Sequence, residues 1–449
     1  MHRNSRPAAG RGAYFALLAS TTLGTVSSTI MSSPINEIAD TLGAGPQEIV
    51  LAVSSFTVAM VVCAPFSGWL SDRIGPTRFL LGALVLMVVA QLGAALAPSL
   101  WVMIAMRALQ GVACSGIPPA VQQGLTGFWP ERKHQTMGAW ASAIGIGQAI
   151  GPPTGGLIAD LLGWRAVFGV HAGICALVGL AVWRFIPRMP PGGSPMDLGG
   201  MAQIVAAAGC LVTGVTWAGQ GGSLVGAGAL VALGAAVLAW ALRPKRRRGR
   251  LVPAGVLTEP NFVVGTMAAS TGMAVMGITM VSVPLFLGRE VGLTPATIGA
   301  TTFAVAAGMA LFGPVAVRIA ARFGTSAALG GGLLMLVAAP LAVGWLETVN
   351  QTPSVVWPMI AVLVVVGFGI SAVQSMSAVV LLGAEGGRGG LSLGLHHMGR
   401  FGGLALGYAW LSTAYAFGSP LAVHAGSALA ATTTLALALI LRRRGATHP

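Results

Sequence analysis

The sequence predicts an all-α polytopic membrane protein: two six-helix bundles plus two inserted helices, about 14 transmembrane helices in total, with both termini cytoplasmic. Three observations lead there. The 449 residues are 55% hydrophobic and only 8% charged, with a mean hydropathy of +0.81, and a water-soluble chain of this length needs far more charge to cover its surface. The apolar residues fall in separated runs of roughly the ~20 residues that a bilayer crossing requires. The basic residues, finally, are distributed with a strong bias between alternate loops.

The first six runs lie near 13–33, 48–70, 79–97, 101–126, 137–160 and 165–186. Two more lie near 197–218 and 223–242. Six follow near 260–287, 295–318, 326–346, 355–382, 390–415 and 421–441. Arg3, Arg6 and Arg11 ahead of the apolar stretch from Tyr14 imitate a signal peptide. That stretch is long and further runs follow, so it reads as an uncleaved first helix.

With the N-terminus inside, 21 of the 25 basic residues face the cytoplasm. They are Arg3, Arg6 and Arg11, then Arg73 and Arg78, Arg132 and Lys133, Arg184 and Arg188, the run Arg243, Lys245, Arg246, Arg247, Arg248 and Arg250, Arg318 and Arg322, Arg388, and Arg442, Arg443 and Arg444. Arg165 and Arg289 fall outside, and Arg107 and Arg400 lie within apolar runs. The net charge of +14 therefore reads as a topology signal touching anionic lipid, and no nucleic-acid partner is expected.

The linker PRMPPGGSP (187–195) closes the first six helices, and the basic run closes the inserted pair. The expected units are 1–190, an N-terminal bundle, 191–250, the inserted pair with its basic linker, and 251–449, a C-terminal bundle. GWLSDRIG (68–75) and VRIAARFG (317–324) occupy equivalent places in the two bundles, with Arg73 matching Arg322 and Gly75 matching Gly324. Such a parallel repeat is a transporter pattern.

The stretch Gly145–Gly156 organises the chain. A Gly- and Pro-rich segment inside an apolar run must satisfy its own backbone hydrogen bonds in lipid, so it reads as a helix bent at Pro152–Pro153. Gly147, Gly151 and Gly155 recur every four residues and form a smooth face that a partner helix can approach closely.

Three motifs together resemble the major facilitator superfamily, in its fourteen-helix drug–proton antiporter branch. GWLSDRIGPTR (68–78) is similar to the loop motif between the second and third helices, with Gly68, Leu70, Asp72, Arg73 and Gly75 matching, while Pro76 and Thr77 replace the usual basic pair and Arg78 follows. RALQG (107–111) is similar to the fourth-helix motif, and GQAIGPPTGG (147–156) to the fifth-helix antiporter motif, including Gly147, Gly151, Pro152, Gly155 and Gly156. The inserted pair and RLVPAGVLTEPNF (250–262) resemble that branch too. The resemblance implies a secondary transporter of the cytoplasmic membrane. It would export a small amphipathic drug or antibiotic-like metabolite in exchange for protons by alternating access. A uniporter or importer on the same fold, without proton coupling, is the alternative.

Individual residues sharpen this. An Arg deep in a helix costs roughly 2.5–3.5 kcal/mol to insert, so Arg107 must face a cavity or a partner; it either serves function or binds backbone carbonyls freed along the Gly/Pro seam. The resemblance implicates it in proton coupling. His396, His397 and Arg400 share one helical turn, with Arg400 ~16 Å deep by helical rise, and the histidines titrate in the physiological range. His171 and His424 stand alone and read as packing or polar contacts. Asp72 and Arg73, with Gly68, Gly75 and Arg78, read as a conformational latch to helix ends of the other half.

The branch carries an Asp in its first helix where this chain has Thr25. Thr25, Ser28, Thr29 and Ser32 either donate to substrate or bond their own i−4 carbonyls; Gln110 and Gln148 are further cavity candidates. All 11 acidic residues, including Glu347, fall in loops or near helix ends. The pocket is therefore expected to be cationic and free of buried acids, favouring a neutral or anionic amphiphile. The four cysteines (Cys63, Cys114, Cys175, Cys210) have no metal-ligand spacing; no metal and no cofactor is expected. No Gly-Lys-Ser/Thr phosphate loop is present, so ATP is not the direct driver. No His is paired with an acid at helical spacing inside a span, which argues against an embedded enzyme.

Overall fold

The computed structural model describes residues 9–190, 198–219, 223–242, 259–382, 390–415 and 418–446. Among the described residues the secondary structure is helical and contains no strand. The first half comprises α1 (Arg11–Thr29), α2 (Ile35–Thr41), α3 (Pro46–Ile74), α4 (Pro76–Ala95), α5 (Leu100–Ser115), α6 (Ile117–Phe128), α7 (Lys133–Leu162) and α8 (Trp164–Phe185). Then come α9 (Leu198–Gly219) and α10 (Leu224–Leu242). The second half comprises α11 (Pro260–Arg289), α12 (Pro295–Phe323), α13 (Thr325–Val349), α14 (Val356–Leu382), α15 (Gly390–Tyr415) and α16 (Pro420–Ala446). Nine described helices are long and apolar enough to cross a membrane.

Two expectations about the helices need correcting. The first run ends at Thr29 rather than 33, and the chain then forms the short α2, whose Ile35, Ile38 and Ala39 are buried. The run at 101–126 is two helices broken at Gly116. Pro118 and Pro119 have no N–H to offer the carbonyls of Cys114 and Ser115, so the ladder stops there. By contrast α7 continues from Lys133 to Leu162 through Pro152 and Pro153.

Gly75 (φ 92°) joins α3 directly to α4, and Gly324 (φ 90°) joins α12 directly to α13. At such φ values a side chain is strained. The two turns thus repeat one geometry at the equivalent place in each half. The packing inside the halves repeats as well. Gly111 of α5 lies on the Phe56 carbonyl of α3, as Gly367 of α14 lies on the Val305 carbonyl of α12. In lipid, where helices gain nothing from leaving water, such close backbone approach supplies the packing energy.

Within the second half α11 is central, with every residue from Thr271 to Leu287 buried. The two halves meet at the end that carries Gly43, Gly163 and Gly292. There one apolar cluster joins Met31, Ile35, Ile38 and Ile49 to Met276, Met280, Leu285 and Phe286. The Asn36 side-chain amide donates to the Pro284 carbonyl at 2.7 Å. Arg289 donates to the Ala44 carbonyl at 3.4 Å and lies 3.8 Å from Asp40. The inserted helices α9 and α10 pack on each other, and α9 also touches α3 and α15, one helix from each half.

Candidate functional site

The buried centre of the first half is built around Arg107 of α5, which is 0% exposed. Its Nη1 donates to the Ser27 carbonyl at 3.0 Å and to Gln110 Oε1 at 2.7 Å; its Nε donates to the Ala52 carbonyl at 3.3 Å. The guanidinium lies 4.5 Å from the Phe56 ring centroid. Gln110 in turn donates to Gln91 Oε1 and to the Ala90 carbonyl, both at 3.3 Å, and Gln91 donates to Ser27 Oγ at 3.0 Å. Arg107 Nη2 has no partner, and the Tyr408 phenol of α15 lies within electrostatic reach of the guanidinium. The carbonyls that hold Arg107 belong to α1 and α3, not to the Gly/Pro seam of α7. Ser27 and Gln91 were not singled out in the sequence; Gln91 was visible there as a lone amide in the apolar run 79–97.

The seam of α7 lies between the two halves. Gly147 faces Thr25 and the Thr22 carbonyl, Gly151 faces Thr29, and Gly155 faces the Ile30 carbonyl, all on the α1 side. Gly156 meets the Pro295 carbonyl of α12, and the Pro152 carbonyl meets Gly299. The same Pro152 carbonyl accepts a 2.7 Å hydrogen bond from Ser33. Gln148 is half-buried beside this seam. Thr25 donates to the Thr22 carbonyl at 2.9 Å, Ser28 to the Thr25 carbonyl at 2.6 Å, Thr29 to the Thr25 carbonyl at 3.3 Å and Ser32 to the Thr29 carbonyl at 2.7 Å. Of the two roles open to these hydroxyls, the described state uses local helix bonding.

In the second half, His396 of α15 is buried, with Nδ1 3.2 Å from Thr266 Oγ1 of α11. Arg400 is within electrostatic reach of it, and Arg400 Nε is buried without a partner. The His397 side chain lies outside the described residues. No hydrogen bond or ion pair among the described residues joins Arg107 to Arg400 or His396.

At the loop motif, Arg73 is exposed, 5.7 Å from the Trp69 ring centroid, and Arg78 is exposed as well. The Asp72 side chain lies outside the described residues, as does the basic run 243–250. The described contacts of this loop go to the linker that follows α8. Thr77 donates to the Pro187 carbonyl at 2.9 Å and accepts from the Met189 amide at 3.4 Å, and the Met189 carbonyl lies against Gly75. Gly68 has open space around it.

One acidic residue near a helix end is nonetheless buried. Glu347 lies two residues from the end of α13, yet it is only 3% exposed. Its Oε2 is 3.2 Å from Nε2 of His424 on α16, which is 0% exposed. A place near a helix end does not bring this carboxylate to water, because neighbouring helix ends cover it. His171 makes polar contacts with the Leu23 carbonyl at 3.3 Å and with Cys175 at 3.4 Å.

An all-helical body of apolar spans, two halves joined at one end, and charged groups held inside define a multi-pass membrane transporter. Residues 15–197 match the family described as the Major Facilitator Superfamily. Over this segment the chain is similar to that superfamily, and its apolar helices mark a multi-pass protein of the cell membrane. Relatives named as multidrug resistance protein MdtD in Salmonella paratyphi B and Salmonella heidelberg are 26% identical over 330 residues, which cover 71% of this chain and 69% of theirs. The POT family transporter PepTSo is similar in structure, with a TM-score of 0.69 at 13% identity over 97% of this chain and 98% of that one. A bacterial homolog of the human lysosomal transporter Spinster, in an inward-facing and unoccupied conformation, has a TM-score of 0.64 at 14% identity over 96% and 94%. At these identities the likeness shows the fold.

Proposed function

We propose that this protein exports a small neutral or anionic amphiphile across the cytoplasmic membrane in exchange for protons, by rocking 1–190 against 251–449. The observation that carries the reading is a pair of arginines, the buried Arg107 in the first half and the half-buried Arg400 in the second, each keeping one buried nitrogen without a partner. A buried cationic donor left unsatisfied is costly, and a substrate oxygen is a natural acceptor for it. The names of the relatives support an amphipathic drug-like substrate. The count of fourteen crossings belongs to this proposal, with α5 and α6 forming one broken span and α2 lying outside the bilayer. So does the orientation, with both termini cytoplasmic and the touching ends external. Gly147, Gly151, Gly155 and Gly156 then serve as the joint, and His396 and His397 serve as proton groups beside Arg400. The loop Gly68, Asp72, Arg73, Gly75 and Arg78 latches the opposite, cytoplasmic end in the other state. The driving force is adequate at ~2.3 kcal/mol per charge per 100 mV.

The test uses inside-out proteoliposomes with an acidic lumen and an anionic fluorescent amphiphile outside. The expected result is uptake that stops when an ionophore dissipates the proton gradient. Uptake that continues unchanged after dissipation overturns proton exchange. Preference for a lipophilic cation over the anionic probe overturns the substrate class.

A further inference from the structure

The end of the second half that touches the first contains a cluster of buried polar side chains that the transport reading does not use. It is built from four helices. Glu347 of α13 and His424 of α16 are 3.2 Å apart. Ser282 of α11 places Oγ 3.5 Å from the same imidazole nitrogen. Gly344, one turn before Glu347 on α13, leaves room for the His424 ring.

Around this pair the described structure leaves several buried polar atoms without partners: Glu347 Oε1, His424 Nδ1, Thr279 Oγ1, Ser427 Oγ and Ser412 Oγ. Thr279 lies one turn before Ser282 on α11, Ser427 one turn after His424 on α16, and Ser412 one turn before Tyr415 on α15. Buried polar groups are otherwise almost always satisfied, and such a concentration marks a site meant to be occupied by water or by a mobile proton.

The charge balance identifies the ligand. A neutral His424 donating from Nε2 leaves the Glu347 carboxylate as a buried anion with no cation in contact, which is unfavourable in an apolar interior. One added proton on Nδ1 makes a carboxylate–imidazolium pair of zero net charge, and no other bond changes. Among the described residues, the other charged and titratable groups on the packed elements are few. On α11 they are Arg289 and the adjoining Glu290; on α15 they are Tyr415 and, further back along the helix, Tyr408, Arg400 and His396. α14 has no charged residue, and those of α12 lie at its far end, Arg318 and Arg322. Tyr415 is within electrostatic reach of both Glu347 and Arg289, and Arg289 is the residue that reaches across to Asp40 and Ala44 of the first half.

We propose that Glu347 and His424 form a proton-binding site whose occupancy controls the contact between the halves at this end. With the proton bound the pair is neutral, and Arg289 is left to hold Asp40 and the Ala44 carbonyl. With the proton lost, the anionic pair draws Arg289 back and this end loosens. The proposal rests on the proton-exchange reading for its use in transport; as a pH-sensitive contact it stands without it.

The experiment uses the full-length purified protein with its four cysteines replaced and spin labels at Gln47→Cys and Val291→Cys, one on each half at this end. The label distance is measured between about pH 5 and about pH 9, a range that brackets an imidazole. The wild-type background is expected to show a short distance at low pH and a longer one at high pH, and Glu347→Gln and His424→Gln to lose the transition. Proton uptake over the same range is expected to fall by about one proton per chain in either variant. A wild-type distance that is independent of pH, or a transition preserved in both variants with unchanged proton uptake, overturns the proposal. If one variant does not fold, the other decides. Gradient-driven transport that persists in the variants while the distance loses its pH dependence leaves proton exchange standing and separates the two readings.

Discussion

Arg107 Nη1 lies 3.0 Å from the backbone carbonyl of Ser27, in the last turn of α1. The carbonyls of a last helical turn lack intrahelical partners, and that end of a helix attracts positive charge. The arginine of α5 therefore closes the end of another helix, and the shortness of α1 and the burial of the charge explain each other.

Arg107→Lys is expected to keep the protein inserted but to abolish transport and lower its thermal midpoint in detergent. A single ammonium cannot reach Ser27, Gln110 and Ala52 in the planar arrangement of a guanidinium. Each charge-assisted hydrogen bond lost costs about 1.5–3 kcal/mol. Wild-type transport by Arg107→Lys would show that the charge alone suffices.

Gly151→Ala is expected to destabilise the protein by about 1–3 kcal/mol, because the new methyl group meets the Thr29 side chain in a filled interface. Gly145→Ala, in the same stretch but with open space around it, is expected to have no measurable effect. Thermal unfolding and transport assays of the two variants side by side check the difference.

Gly75→Ala is expected to cost more stability than Gly324→Ala. Both positions share a positive φ, where a side chain strains the backbone by about 1–3 kcal/mol. Only Gly75 is also backed by a carbonyl, that of Met189. Thermal midpoints of the two variants in detergent give the order.

Thr77→Val is expected to free the segment 187–190. The hydroxyl makes both described hydrogen bonds from this position to that segment. Losing about 1 kcal/mol corresponds to roughly fivefold faster amide hydrogen exchange at Met189, which mass spectrometry resolves. Unchanged exchange would show that Gly75 alone holds the linker.

The sequence made much of this legible for a physical reason. Lipid forces long apolar helices, so hydropathy places them to within a few residues, as at α11 (Pro260–Arg289) against an expected 260–287. A deep arginine has to find acceptors, so Arg107 announced itself. What stayed hidden depends on three-dimensional neighbours. The backbone acceptors of Arg107 come from residues 55 and 80 positions away. Glu347 looked like a residue at a helix end facing water, and only the packing of α16 and α11 over it makes it buried. The break at Gly116 was readable from Pro118–Pro119, but the hydropathy of 101–126 does not drop there and so concealed it.

The position of α9 has a mechanical consequence. It touches α3 of one half and α15 of the other, so any rotation between them has to shear at least one of these contacts. In hydrocarbon the exchange of one apolar neighbour for an acyl chain costs little, because lipid tails are as apolar as leucine. The inserted pair can thus act as a sliding bearing along that flank, guiding the swing without adding a spring that opposes it.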